Sequence, residues 1–161
     1  MKATKWKSYS LALIAGMSVL TACSSDDNND NGGNGNNGNG NEIENGTTLK
    51  GTITSDVTLT AGSTYKLSGE YIVEDGATLN IEAGVKIISI YDDIVDYILV
   101  KQGGKINAVG TSSAPIVMTS EKEEPGAWGG IHICGKAHTN AEGGKGSSEI
   151  GGATYGGNDD A

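Results

Sequence analysis

Between Thr47 and Ala137 the apolar residues recur at every second position, in short runs broken by glycine. Val57 and Leu59, Tyr65 and Leu67, Tyr71 and Val73, Leu79 and Ile81, Val85 and Ile87, and Ile98 and Val100 begin the series. Ile106 with Ala108, Ile116 with Met118 and Ile131 with Ile133 continue it. Alternate side chains on a strand share a face, so this spacing predicts strands with each pair pointing inward. No stretch of this region keeps a 3.6-residue period, and the predicted class is all-β with helices essentially absent.

The pairs also repeat as units. Tyr71 to Ile81 aligns with Ile98 to Ala108 at an offset of 27, and Leu59 to Leu67 around Gly62 aligns with Val73 to Ile81 around Gly76 at an offset of 14. In each unit an apolar strand meets a turn residue and a glycine, which bends sharply and tolerates positive φ, and then resumes its alternation. One such unit cannot hide its apolar face, but stacked units hide one another's. The expectation is a right-handed parallel β-helix over residues 47–137, a solenoid of about four coils of roughly 20 to 27 residues. An antiparallel β-sandwich is the alternative, because short strands with glycine turns suit it too and Asp75-Gly76 also fits a hairpin.

Residues 1–22 have the order of a secretory signal peptide: Lys2, Lys5 and Lys7, an apolar run from Leu11 to Leu20, then small residues. Some ten apolar residues cover only about half of a ~30 Å hydrocarbon core, so the run is too short to span. Leu20-Thr21-Ala22-Cys23 resembles the bacterial lipobox. That resemblance implies cleavage between Ala22 and Cys23, a diacylglycerol on the Cys23 sulfur and an acyl chain such as palmitate on its amino group. An ordinary signal peptide with a chance cysteine is the alternative. Residues 23–46 are mostly Asn, Gly, Asp and Ser, with Ile43 the one large apolar residue, and are expected to form a lipidated, disordered tether. Ser24-Ser25-Asp26-Asp27 resembles the acidic export signal of Bacteroidetes lipoproteins, which implies anchoring in the outer membrane and display at the cell surface. Residues 138–161 read as a Gly-rich irregular tail, either the start of a further coil in a truncated product or an irregular lid. A last coil left uncovered would favour self-association through its unpaired edge.

Beyond these ends, the chain resembles the β-helical surface lipoproteins of Bacteroidetes. The likeness is carried by Leu79-Asn80-Ile81-Glu82-Ala83-Gly84-Val85, Ile98-Leu99-Val100-Lys101-Gln102-Gly103-Gly104-Lys105-Ile106, Ala114-Pro115-Ile116-Val117-Met118-Thr119-Ser120 and Pro125-Gly126-Ala127-Trp128-Gly129-Gly130-Ile131. The resemblance implies a fold and a location in the cell envelope more than an activity.

Composition narrows the partners. The 161 residues have room for one ordinary domain and carry 11 Lys, no Arg and 20 acidic residues, a formal charge of −9. Loss of residues 1–22 removes three Lys and leaves 8 against 20, or −12. Such a chain has no electrostatic footprint for nucleic acid. The expected partners are the membrane, through the lipid, and a glycan or surface protein; neither a cofactor nor a metal is indicated.

Candidate chemistry is sparse. Asp92, Asp93 and Asp96, between Tyr91 and Tyr97, form the densest acidic cluster of the repeat region and sit in an apparent insertion between matching units. Carboxylates there suit Ca²⁺ or acid/base work, although the spacing fits no EF-hand loop and the chain lacks the Arg that pectate-lyase-like enzymes, similar in fold, use as base. A solvated loop is the simpler reading, as it is for Glu121, Glu123 and Glu124. Trp128 could stack on a sugar ring or cover a coil edge. His132 and Cys134 share a strand face, but a nucleophile–base pair or metal site lacks further partners, and a structural role is the simpler reading. The function read from these features is a non-catalytic surface module for adhesion, glycan contact or assembly. A polysaccharide-active lyase or hydrolase on the same scaffold is the alternative.

Overall fold

The structure, a computed structural model, describes residues 41–157; the signal peptide, Ala22, Cys23, the acidic motif and residues 158–161 lie outside them. Twelve strands are found among the described residues. A first row stacks β1 (Asn41–Ile43), β3 (Val57–Leu59), β5 (Thr78–Ile81) and β8 (Lys105–Ala108), every neighbour pair parallel. A second sheet contains β2 (Thr48–Ile53), β4 (Thr64–Val73), β6 (Lys86–Ser89), β7 (Tyr97–Val100), β9 (Val117–Ser120) and β10 (Gly130–Ile133), also parallel throughout. The ten-residue β4 serves two rows, because Thr64–Leu67 pairs with β6 and then β9, whereas Glu70–Val73 pairs with β7 and then β10. All-parallel pairing between strands joined by short corners makes the chain a parallel β-helix and excludes the antiparallel sandwich.

The register explains why the period of two is so clean. Leu59 stands on Ile81, Val57 on Leu79 and then Ile106, and Tyr71 on Ile98 and then Ile131. The inward side chains of successive rungs therefore form vertical ladders. Leu59, Leu67, Val73, Leu79, Val85 and Ile98 are each fully buried there, and each such burial contributes about 1.5–3 kcal/mol. The same stacking runs outside, where Asn107 donates to the equivalent Asn80 at 2.8 Å. At the corner after β4, Gly76 donates its backbone N–H to the carbonyl of Gly103, and both have positive φ. A side chain at Gly103 would collide with the Asp75 carboxylate.

Three features differ from the sequence reading. The offset of 27 is a true stacking register (Tyr71 on Ile98), but the offset of 14 is not, since Leu59 stacks on Ile81. It relates one corner of a rung to another, because every corner uses the same strand–turn–strand grammar. Pairing also begins inside the segment expected as tether, where β1 places Ile43 against the core. Finally, the tail holds an antiparallel pair, β11 (Lys145–Ser147) with β12 (Thr154–Gly156), preceded by a 3-10 turn at Glu142–Gly144. This hairpin packs beside the solenoid instead of continuing it: Ile150, Ala153 and Tyr155 meet Ile72, Tyr97, Leu99 and Cys134. Ile131 and Ile133, which stack on Ile98 and Val100 and so point inward, remain 39% and 65% exposed.

The two core tyrosines fare differently. Tyr65 donates its hydroxyl to the Ile43 carbonyl at 2.9 Å, but the Tyr71 hydroxyl, in a residue only 3% exposed, has no partner among the described residues. Burial pushes its pKa up from 10.0 to about 12. The folded chain thus holds this proton where the unfolded chain has begun to release it. Its contribution to stability is complete below about pH 10 and declines by up to ~1.4 kcal/mol per unit as pH rises towards about 12. Tyr71→Phe is expected to keep or raise stability at pH 8, by about 1 kcal/mol, since an unmade hydrogen bond is removed. Urea midpoints at pH 8 and pH 11 check both points, the variant losing less than the parent between them.

Candidate functional site

The rungs lengthen along the chain. Val57 stands on Leu79, 22 residues on; Glu70 on Tyr97, 27 on; and Tyr97 on Gly130, 33 on. Because the strands still superimpose, the added residues must leave the stack as loops. Residues 90–96 leave between β6 and β7, and residues 121–129 leave between β9 and β10, the same corner of the following rung. The two loops enclose a cleft of about 320 Å³ lined by Tyr91–Val95 and Gly126–Gly129. The structure therefore brings Trp128 to the cluster of Tyr91, Asp92 and Asp93, from which the sequence reading had kept it apart.

Asp96 is not part of that lining. Its carboxylate is fully buried and accepts from Gly69 N at 2.5 Å and from Ser89 Oγ at 2.7 Å. Its carbonyl accepts from Gly129 N at 2.7 Å. Asp96 thus ties one rung to the rungs on either side of it and closes the neck of the 90–96 loop. The expectation that it faces a ligand is corrected: a buried carboxylate that takes a backbone and a hydroxyl donor is a structural clasp.

The loops are shaped by local chemistry. Asp92 Oδ1 accepts from Ile94 N at 2.8 Å, an Asx turn that turns Ile94 and Val95 outward, where each is 59% exposed. In the second loop Glu123, at φ 52, and Gly126, at φ 79, turn the chain so that Trp128 lies over the core while still lining the cleft. Trp128 is half-buried, packed against the core as the coil-edge reading expected, and it also lines the cleft. Glu121 and Lys122 join the loops. Glu121 accepts from Tyr91 N at 3.2 Å and pairs with Lys66 at 2.5 Å, and the Lys66 hydrogen bond leads in holding its carboxyl below the usual range. Lys122, held by Glu124 at 3.0 Å, places its ammonium 4.8 Å from the centre of the Tyr91 ring. Glu124 and then the Tyr91 hydroxyl raise its pKa. The sequence reading had Glu121 only as part of a solvated loop and did not single out Lys122, because Tyr91 is about 30 positions away and meets them only through the stacking register.

His132 and Cys134 point outward together, yet each has its own partners. His132 Nε2 lies 3.0 Å from the Gly129 carbonyl, its Nδ1 lies 3.3 Å from Ser148 Oγ, and its ring meets Tyr97 edge-on. Cys134 is 5% exposed in the cluster beneath the hairpin, and burial pushes its thiol pKa up, away from the reactive thiolate. A second cleft, of about 400 Å³, lies between the hairpin and Glu74, Lys101 and Gln102. Its two charged groups are already paired at 2.6 Å, and no aromatic side chain lines it.

A stack of parallel rungs with two loops leaving at one corner defines a β-helical protein with lateral insertions. The model of the family described as pectate-lyase like beta helix domain matches residues 51–161, and the chain belongs to that family. No curated protein and no solved structure matches it.

Proposed function

We propose that the chain is a lipid-anchored cell-envelope protein, attached at the outer membrane through Cys23 and exposed at the surface. It displays a right-handed β-helix of about four coils as a non-catalytic module for adhesion, glycan contact or assembly. The observation that carries ligand contact is the meeting of Tyr91, Asp92, Asp93 and Trp128 in one cleft. Sugars offer apolar ring faces and polar edges, and aromatic walls beside hydrogen-bonding groups suit both. Against a catalytic role, Asp96 is withdrawn into the fold and Asp92 has one oxygen engaged by its own turn. A lyase or hydrolase remains the second reading, favoured by the family description alone.

Three measurements test the proposal. Incubation of the full chain with a panel of surface and plant polysaccharides is expected to give binding without new reducing ends or unsaturated products; product release would overturn the non-catalytic reading. In cells, radiolabelled palmitate is expected to enter the parent and not Cys23→Ala. Self-association through the rung β8–β9–β10 belongs to the same proposal, and sedimentation across a concentration series checks it.

A further inference from the structure

We infer that the cleft between residues 90–96 and 121–129 takes a glycan that offers hydroxyl or ammonium donors, and that it rejects polyuronates. The inference rests on the glycan-contact reading above and names the substrate class for that cleft.

The argument begins with what the lining lacks. Tyr91–Val95 and Gly126–Gly129 include two carboxylates and neither a lysine nor a histidine, so a uronate carboxylate entering the cleft meets no cation. The lysines beside the lining are already paired, Lys66 with Glu121 and Lys122 with Glu124; Lys122 also contacts the Tyr91 ring and hydroxyl, but neither lysine is among the lining groups. A formal charge of −9 adds repulsion of any polyanion at long range.

What the lining offers is complementary to donors. Asp92 uses Oδ1 for Ile94 N, while its other oxygen and both oxygens of Asp93 have no partner among the described residues. Carboxylate oxygens only accept, so they call for hydroxyl or ammonium groups on the ligand. Around them Tyr91, Ile94 and Val95 are 57–59% exposed, an apolar surface suited to ring faces. Lys122 over one face of Tyr91 and Glu121 on its backbone hold the ring in place before any ligand arrives. At about 320 Å³ the cleft is near the small end of ligand sites, room for about one or two sugar rings.

Calorimetric titration of the full chain in detergent tests this with three ligands: chitosan oligosaccharide, cello-oligosaccharide and oligogalacturonate, all in a calcium-free buffer. One or both of the first two are expected to bind, with oligogalacturonate weaker by about tenfold or more. Trp128→Ala is expected to abolish binding, and Asp93→Asn to weaken the amine-bearing ligand more than the neutral one. Because Trp128 also packs against the core, Ile94→Lys provides an independent arm at an exposed position. It adds the missing cation and is expected to admit oligogalacturonate while weakening chitosan. Oligogalacturonate binding as tightly as the others, and lost in Trp128→Ala, would overturn the substrate class and leave glycan contact standing. Failure of all three ligands, or binding unaffected by both Trp128→Ala and Ile94→Lys, would overturn both.

Discussion

Asp96→Ala is expected to lower stability by about 3 kcal/mol and to abolish ligand binding at a cleft that Asp96 does not line. The substitution leaves the buried Ser89 hydroxyl and the half-buried Gly69 N–H without their acceptor, and each lost bond to a charged acceptor is worth about 1.5–3 kcal/mol. Some of that is returned because no carboxylate then has to be buried. The 90–96 loop leaves the stack after Ser89 and returns at Asp96, so breaking their 2.7 Å bond opens its neck. Tyr91 and Asp93 are then no longer held opposite Trp128. Asp96→Asn keeps the shape but has one oxygen where two donors must be met, and is expected to fall between parent and Ala. Urea unfolding gives the stability, and ligand titration well below the unfolding midpoint gives the binding. A folded Asp96→Ala chain that binds as the parent does would show that the clasp does not position the cleft.

The inward residues were legible because burial on one side of a strand leaves a mark at every second position. Val57, Leu59, Tyr65, Leu67, Tyr71 and Val73, and their partners up to Val100, are all in the core. Beyond Val100 the same pattern persists with falling burial, to Ile133 at 65% exposure, because alternation reports which way a side chain points and not what lies over it. The site was half legible. The insertion carrying Asp92 and Asp93 interrupts a repeat and can be located by alignment, but its meeting with Trp128 depends on a second insertion entering at the same corner one rung later. Asp96 could not be told from its neighbours, since three acids in a polar loop look alike until one of them is found facing Gly69 N. Tyr97-Ile98-Leu99-Val100 carried a signal that period-two reading passes over. A run apolar at every position is the mark of a strand covered on both faces, and β7 is buried at all four residues.

The outer cover of β7 leads to the second large expected effect. Leu99→Ala is expected to cost about 3 kcal/mol, as for buried leucines truncated elsewhere, and to release the β11–β12 hairpin. Leu99 points away from the solenoid axis yet is fully buried, packed with Ile150, Ala153 and Tyr155. Gly151 sits so close that a side chain there would come within 2.9 Å of Leu99 Cδ2. Beyond this apolar cluster, which Ile72, Tyr97 and Cys134 complete, the hairpin's holds are polar: Gln102 Nε2 to the Gly156 carbonyl at 2.6 Å, Gly156 N to the Gly135 carbonyl at 2.8 Å, and Ser148 to His132. Each contributes only about 1 kcal/mol net. Ile98→Ala, one residue away and equally buried but inside the solenoid, is the control. Both variants should shift the urea midpoint by similar amounts. Only Leu99→Ala should expose residues 141–157 to protease while the rungs stay folded, because the ladders through Ile98 remain intact. Equal protection of that segment in the two variants would mean that the hairpin is held by its hydrogen bonds, with the apolar cluster beneath it incidental.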